Sequence, residues 1–240
     1  MADKNLATIN QGFGVVTVIN AKCVSIAYLN TLVTDWAEYC KVHTASEIAQ
    51  KIYDAYEGSL VTKDGCYIDT LKVANLNIEG PSKTITGGQY ANPLIKFGKT
   101  STCELQDALG HADALALLGG VEIDSNSYLH VTSKFGKPVA ILGDTFVIDR
   151  ETGDQVPVME VIYQFLPDSI INLTQAGEGD ATVFDLNGSL MATDVKKGEN
   201  TVYYGAFYSI IDPVTGSEPE PSTPAEEGST PAEEATSGQD

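Results

Sequence analysis

The residues best suited to chemistry lie between Phe165 and Ala192, where four carboxylates flank a glycine-rich turn. They are Asp168, Glu178, Asp180 and Asp185. Carboxylate oxygens are the ligands that Ca²⁺ and Mg²⁺ prefer, and paired carboxylates serve as general acids and bases. The turn "GEGD" at 177–180 nevertheless lacks the alternating ligands of an EF-hand loop. We therefore expect a solvated turn between two strands, with no metal.

Histidines and cysteines form no denser grouping. His43, His111 and His130 are far apart from one another in sequence, so no two histidines form a closely spaced pair. Zinc and transition-metal sites usually show pairs of ligands at short spacing. The cysteines are also widely spaced and are expected to be buried free thiols; they are Cys23, Cys40, Cys66 and Cys103. The sequence therefore predicts no metal and no cofactor.

Motifs of nucleophilic catalysis and phosphate binding are missing as well. There is no GxSxG elbow, no Walker A loop and no GxGxxG. The stretch "FGKTS" at 97–101 contains Gly-Lys-Thr, but it lies in an alternating strand pattern and lacks the glycine expected five residues earlier. We therefore predict a protein that is not an enzyme.

Charge and hydropathy argue against two further classes. The chain has 14 Lys+Arg against 33 Asp+Glu, a net charge of −19. Binding to DNA or RNA requires clustered basic residues, and Arg150 is the only arginine. The longest apolar run, at 114–118, is far too short to span a bilayer. We expect no specific nucleic-acid binding and no membrane partner.

Helical periodicity is confined to short segments. Thr44–Gly58 begins with a capping box, in which Thr44 and Glu47 satisfy each other's free backbone amides. Apolar residues then recur every four positions, as on one face of a helix, and Gly58 is expected to end it. Shorter helices are predicted over Asp35–Val42 and between Gly110 and Gly120.

Strand patterns fill most of the remaining chain. Gly14–Leu29 is β-branched on both faces, which is typical of a strand covered on both sides. Val139–Ile148 precedes a hairpin turn at Asp149–Asp154. In the following strand one face is predicted to carry Met159, Val161, Tyr163 and Phe165. We predict a mainly β fold with helices (α+β), a β-sandwich or barrel with a flanking short helix and an added N-terminal helical region at about 34–66.

The last segment, 213–240, differs from everything before it. It repeats "STPAEE" at 222–227 and 229–234, and from Asp212 onward it carries eight acidic residues and no basic one. Such a composition buries too little apolar surface to offset the entropy of ordering it. We predict one β-domain over residues 1–212, followed by a flexible acidic tail.

Two stretches resemble a known family. The segment "VIDRETGDQVPVMEVIYQFLPDSIINLTQAGEGDATVFDLNGSLMA" resembles the closing half of the tail tube proteins, the major tail proteins of tailed bacteriophages, in its TG hairpin followed by "…GD…FDL…". The segment "IEGPSKTITGGQYANPLIKFGKTSTCELQDALG" and the helix after it resemble the family's mid-chain strands and helix. The likeness covers roughly Leu71 to Phe207.

The resemblance implies a structural virion protein that self-assembles into stacked, usually hexameric rings, a conduit for DNA during ejection. It would be made in the cytoplasm of the bacterial host and reside in the virion tail. Its partners would be further copies of itself and other tail proteins, such as the tape measure, adaptor or terminator, and sheath. An acidic channel lets DNA slide without binding. As residues facing that channel we predict Glu104, Glu160 and Asp185.

An alternative class is a carbohydrate- or surface-binding β-sandwich module. The segment "TVYYGAFY" is rich in aromatic residues that could form a binding platform, namely Tyr203, Tyr204 and Tyr208. Packing in a core or interface is the more frequent fate of such a cluster. Glycan binding by a stable monomer would favour this alternative, and a homo-oligomer without ligand would favour the tail tube.

Overall fold

The computed structural model describes most of the chain up to Val214. The described residues are 6, 13–15, 20–68, 71–79, 82–84, 94–96, 100–107, 111–126, 129–130, 132–174, 183–197 and 201–214. The helices are α1 (Ile26–Leu32), α2 (Trp36–Val42), α3 (Ala45–Val61) and α4 (Ala112–Gly119). The strands are β1 (Phe13–Val15), β2 (Asn20–Ser25), β3 (Gly65–Ile68), β4 (Leu71–Glu79), β5 (Ser82–Thr84), β6 (Leu94–Lys96), β7 (Thr100–Asp107), β8 (Glu122–Ile123), β9 (Leu129–His130), β10 (Val139–Asp149), β11 (Gln155–Thr174), β12 (Val183–Leu190), β13 (Thr193–Lys197), β14 (Thr201–Ala206) and β15 (Tyr208–Ile211).

One antiparallel sheet of nine strands dominates the molecule. Its order is β3-β2-β10-β11-β12-β7-β4, with β1 added to β10 and β15 added to β11. The described residues also form three separate two-stranded sheets. The predicted class, mainly β with a few helices, is confirmed. None of the helices in the described residues is long and apolar enough to cross a membrane.

The sheet curls into a half-barrel because its two end strands follow each other in the chain. β3 and β4 lie at opposite ends of the strand order, yet only residues 69–70 separate them. Consecutive Cα atoms are about 3.8 Å apart, so the two edges approach to within roughly 11 Å at Ile68 and Leu71. A flat sheet of this order would hold them much farther apart.

The concave side of the half-barrel is filled by the first core. It combines residues of β3 and β7, strands near opposite ends of the sheet, with the apolar face of α4. We call this set the concave core: Ala21, Cys23, Cys66, Ile68, Cys103, Leu105, Ala114, Leu117, Leu118, Val139, Ile141, Ile162, Phe165, Leu186, Leu190 and Phe207. The short flanking helix predicted between Gly110 and Gly120 is thereby confirmed as α4.

The other side of β2, β10 and β11 is covered by α1, α2 and α3. We call this second set the helical core: Val24, Leu29, Trp36, Cys40, Ile48, Ala49, Ile52, Ala55, Tyr56, Ala140, Leu142, Met159, Val161, Tyr163, Val195 and Ile211. Its helices occupy residues 26–61 and form the N-terminal helical region.

The helix starts follow local capping. Asp35 accepts hydrogen bonds from the backbone N–H groups of Ala37 (2.9 Å) and Glu38 (3.2 Å), which confirms the predicted start of α2. Thr44 and Glu47 form the predicted capping box of α3. The predicted end was wrong, because the helix continues past Gly58 to Val61.

The prediction of one strand over Gly14–Leu29 was wrong in its second half. β2 ends at Ser25, whose Oγ accepts a hydrogen bond from the backbone N–H of Tyr28 (3.1 Å) and caps α1. The β-branched pattern was a poor guide here, since the chain changes from strand to helix at Ser25, which caps the helix.

The predicted common face of β11 was wrong at one residue. Met159, Val161 and Tyr163 belong to the helical core, but Phe165 belongs to the concave core. The cause is a register shift between Ile162 and Phe165 against β10, which turns the following side chains to the other side. The predicted hairpin at Asp149–Asp154 is confirmed by the bond from Gly153 N–H to the Asp149 carbonyl (2.7 Å).

Candidate functional site

β4 is the strand at one end of the order of the large sheet. In the part of the chain that the structure describes, β4 pairs along Leu71–Glu79 with β7 and with no second strand. Its register against β7 shifts only between Leu71 and Val73, so the pairing from Ala74 onward is regular. Every second N–H and C=O of such a strand points away from the sheet, where a strand of another chain can pair with it.

Glu160 lies on the concave side of the sheet. Its chain neighbours Met159 and Val161 belong to the helical core, so strand alternation turns Glu160 the opposite way. Its backbone pairs with Gly143 and Ile210. The side chain is half-buried, and burial raises the pKa of its carboxyl because the charged form loses hydration.

The charge of Glu160 reaches two groups in the concave core region. Burial raises the pKa of the Cys103 thiol to about 12, and the carboxylates of Glu160 and Glu104 add to that effect. Burial likewise raises the pKa of Tyr208, again with a contribution from Glu160. A negative charge on either of these two side chains is therefore disfavoured.

Glu104 occupies the other side of the sheet. Its neighbours Cys103 and Leu105 belong to the concave core, so Glu104 is turned away from it and is partly exposed. Its backbone lies opposite Asn75 and Asn187. The single subunit therefore places Glu104 and Glu160 on different sides of one sheet.

The third predicted residue of the channel, Asp185, is placed by its backbone. It pairs with Asn172 on β11 and with Gln106 on β7, while its side chain lies outside the described part of the structure. The direction in which these carboxylates face inside a tube depends on neighbouring subunits, so the channel assignment stays a prediction. The acidic turn at 177–180 also lies outside the described residues.

The histidines are separated in space as in sequence. His43 stacks on Tyr39 with ring centroids 3.7 Å apart, and its Nδ1 lies 2.8 Å from the Tyr39 carbonyl oxygen. His130 Nε2 lies 3.0 Å from Asp124 Oδ2, and His111 precedes α4. Among the described residues, no group of three His, Cys, Asp or Glu side chains is arranged to hold a metal ion.

The cysteines are buried free thiols, as predicted. Cys23 and Cys66 lie directly opposite each other on β2 and β3, and both join Cys103 in the concave core. Cys40 lies in the helical core, where burial raises the pKa of its thiol to about 12. A thiol with such a pKa is almost entirely protonated at neutral pH and therefore a poor nucleophile.

The aromatic platform of the alternative function is described in part. Tyr208 is partly buried and packs against the concave core. Tyr203 is placed by its backbone pairing with Val195, but the side chains of Tyr203 and Tyr204 lie outside the described part of the chain. The described ring is therefore engaged in core packing.

Sequence reasoning missed a basic and aromatic surface at the end of α4. Lys63, Lys134, Phe135 and Lys137 line one open depression there. The four residues come from segments about 70 positions apart, so no short motif joins them. The only local signal is "SKFGK" at 133–137, an aromatic residue between two lysines in a chain poor in basic residues.

Known proteins give little information about the function of this chain. No protein-family model matches the chain, and no curated protein matches it. Among solved structures, it is similar to a chain in the cryo-EM structure of the anti-feeding prophage (AFP) baseplate, 6-fold symmetrised. The identity is 10%, the TM-score is 0.31, and the match covers 62% of this chain and 83% of that chain. A likeness this distant assigns neither fold nor function.

Proposed function

We propose that this chain is a structural virion protein without catalytic activity, the subunit of a phage tail tube. Subunits join side by side into hexameric rings, and the rings stack into a conduit for DNA during ejection. Other tail proteins, such as the tape measure, adaptor or terminator, and sheath, contact this tube. The proposal rests on the residue patterns that resemble tail tube proteins and on the form of the sheet.

The observation that carries the proposal is that β4 pairs on one side only among the described residues. An exposed edge of this length is a template for pairing with another chain, and monomeric proteins usually cover or interrupt such edges. In a ring, β4 of one subunit would extend its sheet into that of the next. The backbone bonds gained along this strand would make assembly largely independent of side-chain identity.

The acidity of the chain suits a conduit. A net charge of −19 creates a negative potential that repels phosphate, so DNA slides through without being held. Glu160 on the concave side and Glu104 on the other side give both surfaces of the sheet a carboxylate. Either surface could therefore face the channel.

Negative-stain electron microscopy of the concentrated protein, across several salt conditions, is the first test. We expect hollow tubes or stacks of rings. Monodisperse small particles under all conditions, also after addition of tail initiator proteins, would contradict the proposal. Ligand screening, beginning with glycans, would then be the next measurement.

Paired proline substitutions test the role of β4 itself. Along an edge strand, backbone N–H groups alternate between the neighbouring strand and the outside, and proline removes one of them. Of Asn75→Pro and Leu76→Pro, one removes a bond to β7 and the other removes an outward N–H. We expect one variant to be folded and unable to assemble, while the other is destabilised. If the folded variant assembles like the wild type, β4 is not the interface.

A further inference from the structure

The depression at the end of α4 has a composition unlike that of the chain as a whole. It is open to solvent, encloses about 440 Å³ and is lined by three lysines, although the chain has 14 Lys+Arg against 33 Asp+Glu. Its lysines lie beside two carboxylates, and the charged, histidine and aromatic lining residues are Lys63, Glu122, Asp124, His130, Lys134, Phe135 and Lys137. We call this surface the lysine depression.

Phe135 is presented by a loop that lies directly on α4. The backbone N–H of Lys137 donates to the Leu117 carbonyl (2.8 Å). Gly136 approaches the Leu118 carbonyl so closely that a Cβ would collide with it, and Gly120 (φ 65°) makes a similar approach to the Lys134 carbonyl. The loop is therefore held in place while the Phe135 side chain is 74% exposed. A fixed, exposed aromatic ring is a typical anchor for a binding partner.

The lysines around the ring retain capacity for anions. Lys134 pairs with Glu122, and Lys137 Nζ lies 2.7 Å from Asp64 Oδ1, but these lysine side chains are 69% and 50% exposed. An ammonium group has three donors, so each can bind a second carboxylate. Lys63 makes no ion pair with any described residue.

The acidic tail of this chain has the complementary composition. Each "STPAEE" repeat places a proline two residues before a pair of glutamates, at Pro224 with Glu226 and at Pro231 with Glu233. Proline-rich segments dock on aromatic side chains in the extended polyproline conformation, and carboxylates pair with ammonium groups. Because the repeat occurs twice, either copy can bind to the same surface.

The tail is long enough to reach the lysine depression of its own molecule. Val214, where the described chain ends, is tied to the domain through a bond from its N–H to Met159 Sδ (3.2 Å). Residues 215–240 extend to roughly 80 Å in a polyproline conformation, whereas a domain of this length has a radius of gyration of about 17 Å. A tethered segment experiences an effective concentration on the order of millimolar, so weak contacts suffice.

We propose that residues 217–240 dock in the lysine depression of the same molecule. The proline of one repeat packs on Phe135, and its glutamates pair with Lys63, Lys134 and Lys137. This contact does not depend on tube assembly.

The test is to compare the amide NMR signals of the tail in full-length protein and in variants at low salt. We expect the signals of both repeats to shift toward free-peptide positions in Phe135→Ala and Lys63→Glu, and in wild type at high salt. Lys51→Glu, an equal change of charge on α3, is the matched control and should leave these signals unchanged. Identical tail spectra in wild type, Phe135→Ala and Lys63→Glu would overturn the proposal.

Two further measurements distinguish docking of the tail in its own molecule from two other causes. These are misfolding of a variant and contacts between molecules. Replacing Glu226, Glu227, Glu233 and Glu234 by Gln should release the tail without altering the domain, so this variant tests docking even if a depression variant fails to fold. Dilution distinguishes docking in the same molecule from docking in a neighbour. Shifts that vanish on dilution would overturn the intramolecular contact.

Discussion

The two largest cores among the described residues lie on opposite sides of the same sheet and differ in how they are built. The helical core is closed by α1, α2 and α3, which follow one another within residues 26–61. The concave core is closed by strands from both ends of the sheet and by α4. It is bordered by Glu160, a half-buried carboxyl whose pKa is raised by burial.

The two cores also differ in whether their buried polar groups have partners that compensate for burial. In the helical core, the Trp36 Nε1–H donates to the Tyr163 carbonyl (2.8 Å), and the Tyr163 hydroxyl bonds to Ser209. These partners compensate the burial of polar atoms. Glu160 forms no ion pair among the described residues. The buried polar groups of the helical core are therefore compensated by hydrogen bonds, whereas the charged form of Glu160 is costly where it lies.

The largest effect is expected in the helical core. Trp36 is 1% exposed, so Trp36→Ala removes a large buried side chain together with its bond to Tyr163. We expect a loss of about 3–5 kcal/mol in the free energy of unfolding, measured by urea denaturation. Leu32→Ala, at a side chain 44% exposed, is the control and should change it by less than about 0.5 kcal/mol. Similar losses in the free energy of unfolding for both variants would show that burial in the helical core does not determine the effect.

An intermediate effect is expected at a close contact in the concave core. A Cβ at Gly188 would collide with the ring of Phe165 and lie 2.5 Å from the Leu166 carbonyl oxygen. Gly188→Ala should therefore lower the stability by about 1–3 kcal/mol through overpacking, read as a lower Tm. Ser189→Ala, on the same strand and partly exposed, is the control. A wild-type Tm for Gly188→Ala would mean that the concave core yields more easily than its close contacts indicate.

The smallest effect is expected at Glu160, and it depends on pH. Below the ordinary pKa of glutamate this carboxyl is neutral in both the folded and the unfolded protein, so Glu160→Gln should match the wild type. Burial raises the pKa of this carboxyl in the folded state. The contribution of Glu160 to the stability of the wild type is therefore lost as the pH rises from the ordinary pKa of glutamate through the raised pKa of the folded protein. Glu160→Gln should therefore have the higher Tm at pH 8, with exposed Glu151→Gln as control. A variant that is less stable at pH 8 would show that the charge is favourable where it lies.

Features set by neighbouring residues could be predicted from the sequence. The capping box of Thr44 and Glu47 and the TG hairpin before β11 depend on contacts within a few positions, and both are confirmed. The class, mainly β with helices, follows from the same local periodicities.

Features set by distant pairing could not be predicted. The side to which Phe165 turns depends on a register shift against β10, and the strand order depends on contacts across most of the chain. The lysine depression was missed for the same reason, because Lys63 meets Lys134 only in the folded protein. The helix that starts after Ser25 was missed because its apolar, β-branched surroundings are equally typical of a buried strand.

The juxtaposition of β3 and β4 has a consequence for biosynthesis. β2 and β3 leave the ribosome early, but β2 also pairs with β10, which begins at Val139, and β4 pairs with β7, which in turn pairs with β12. At about 5–20 residues per second, the chain between Ile68 and Phe165 takes roughly 5–20 s to emerge. During that time α1, α2 and α3 can form from local contacts and β2 can pair with β3, while the other edge of β2 lacks its partner β10. We expect nascent chains to depend on chaperones until the middle of the sheet has been made, and the half-barrel to close as one late event.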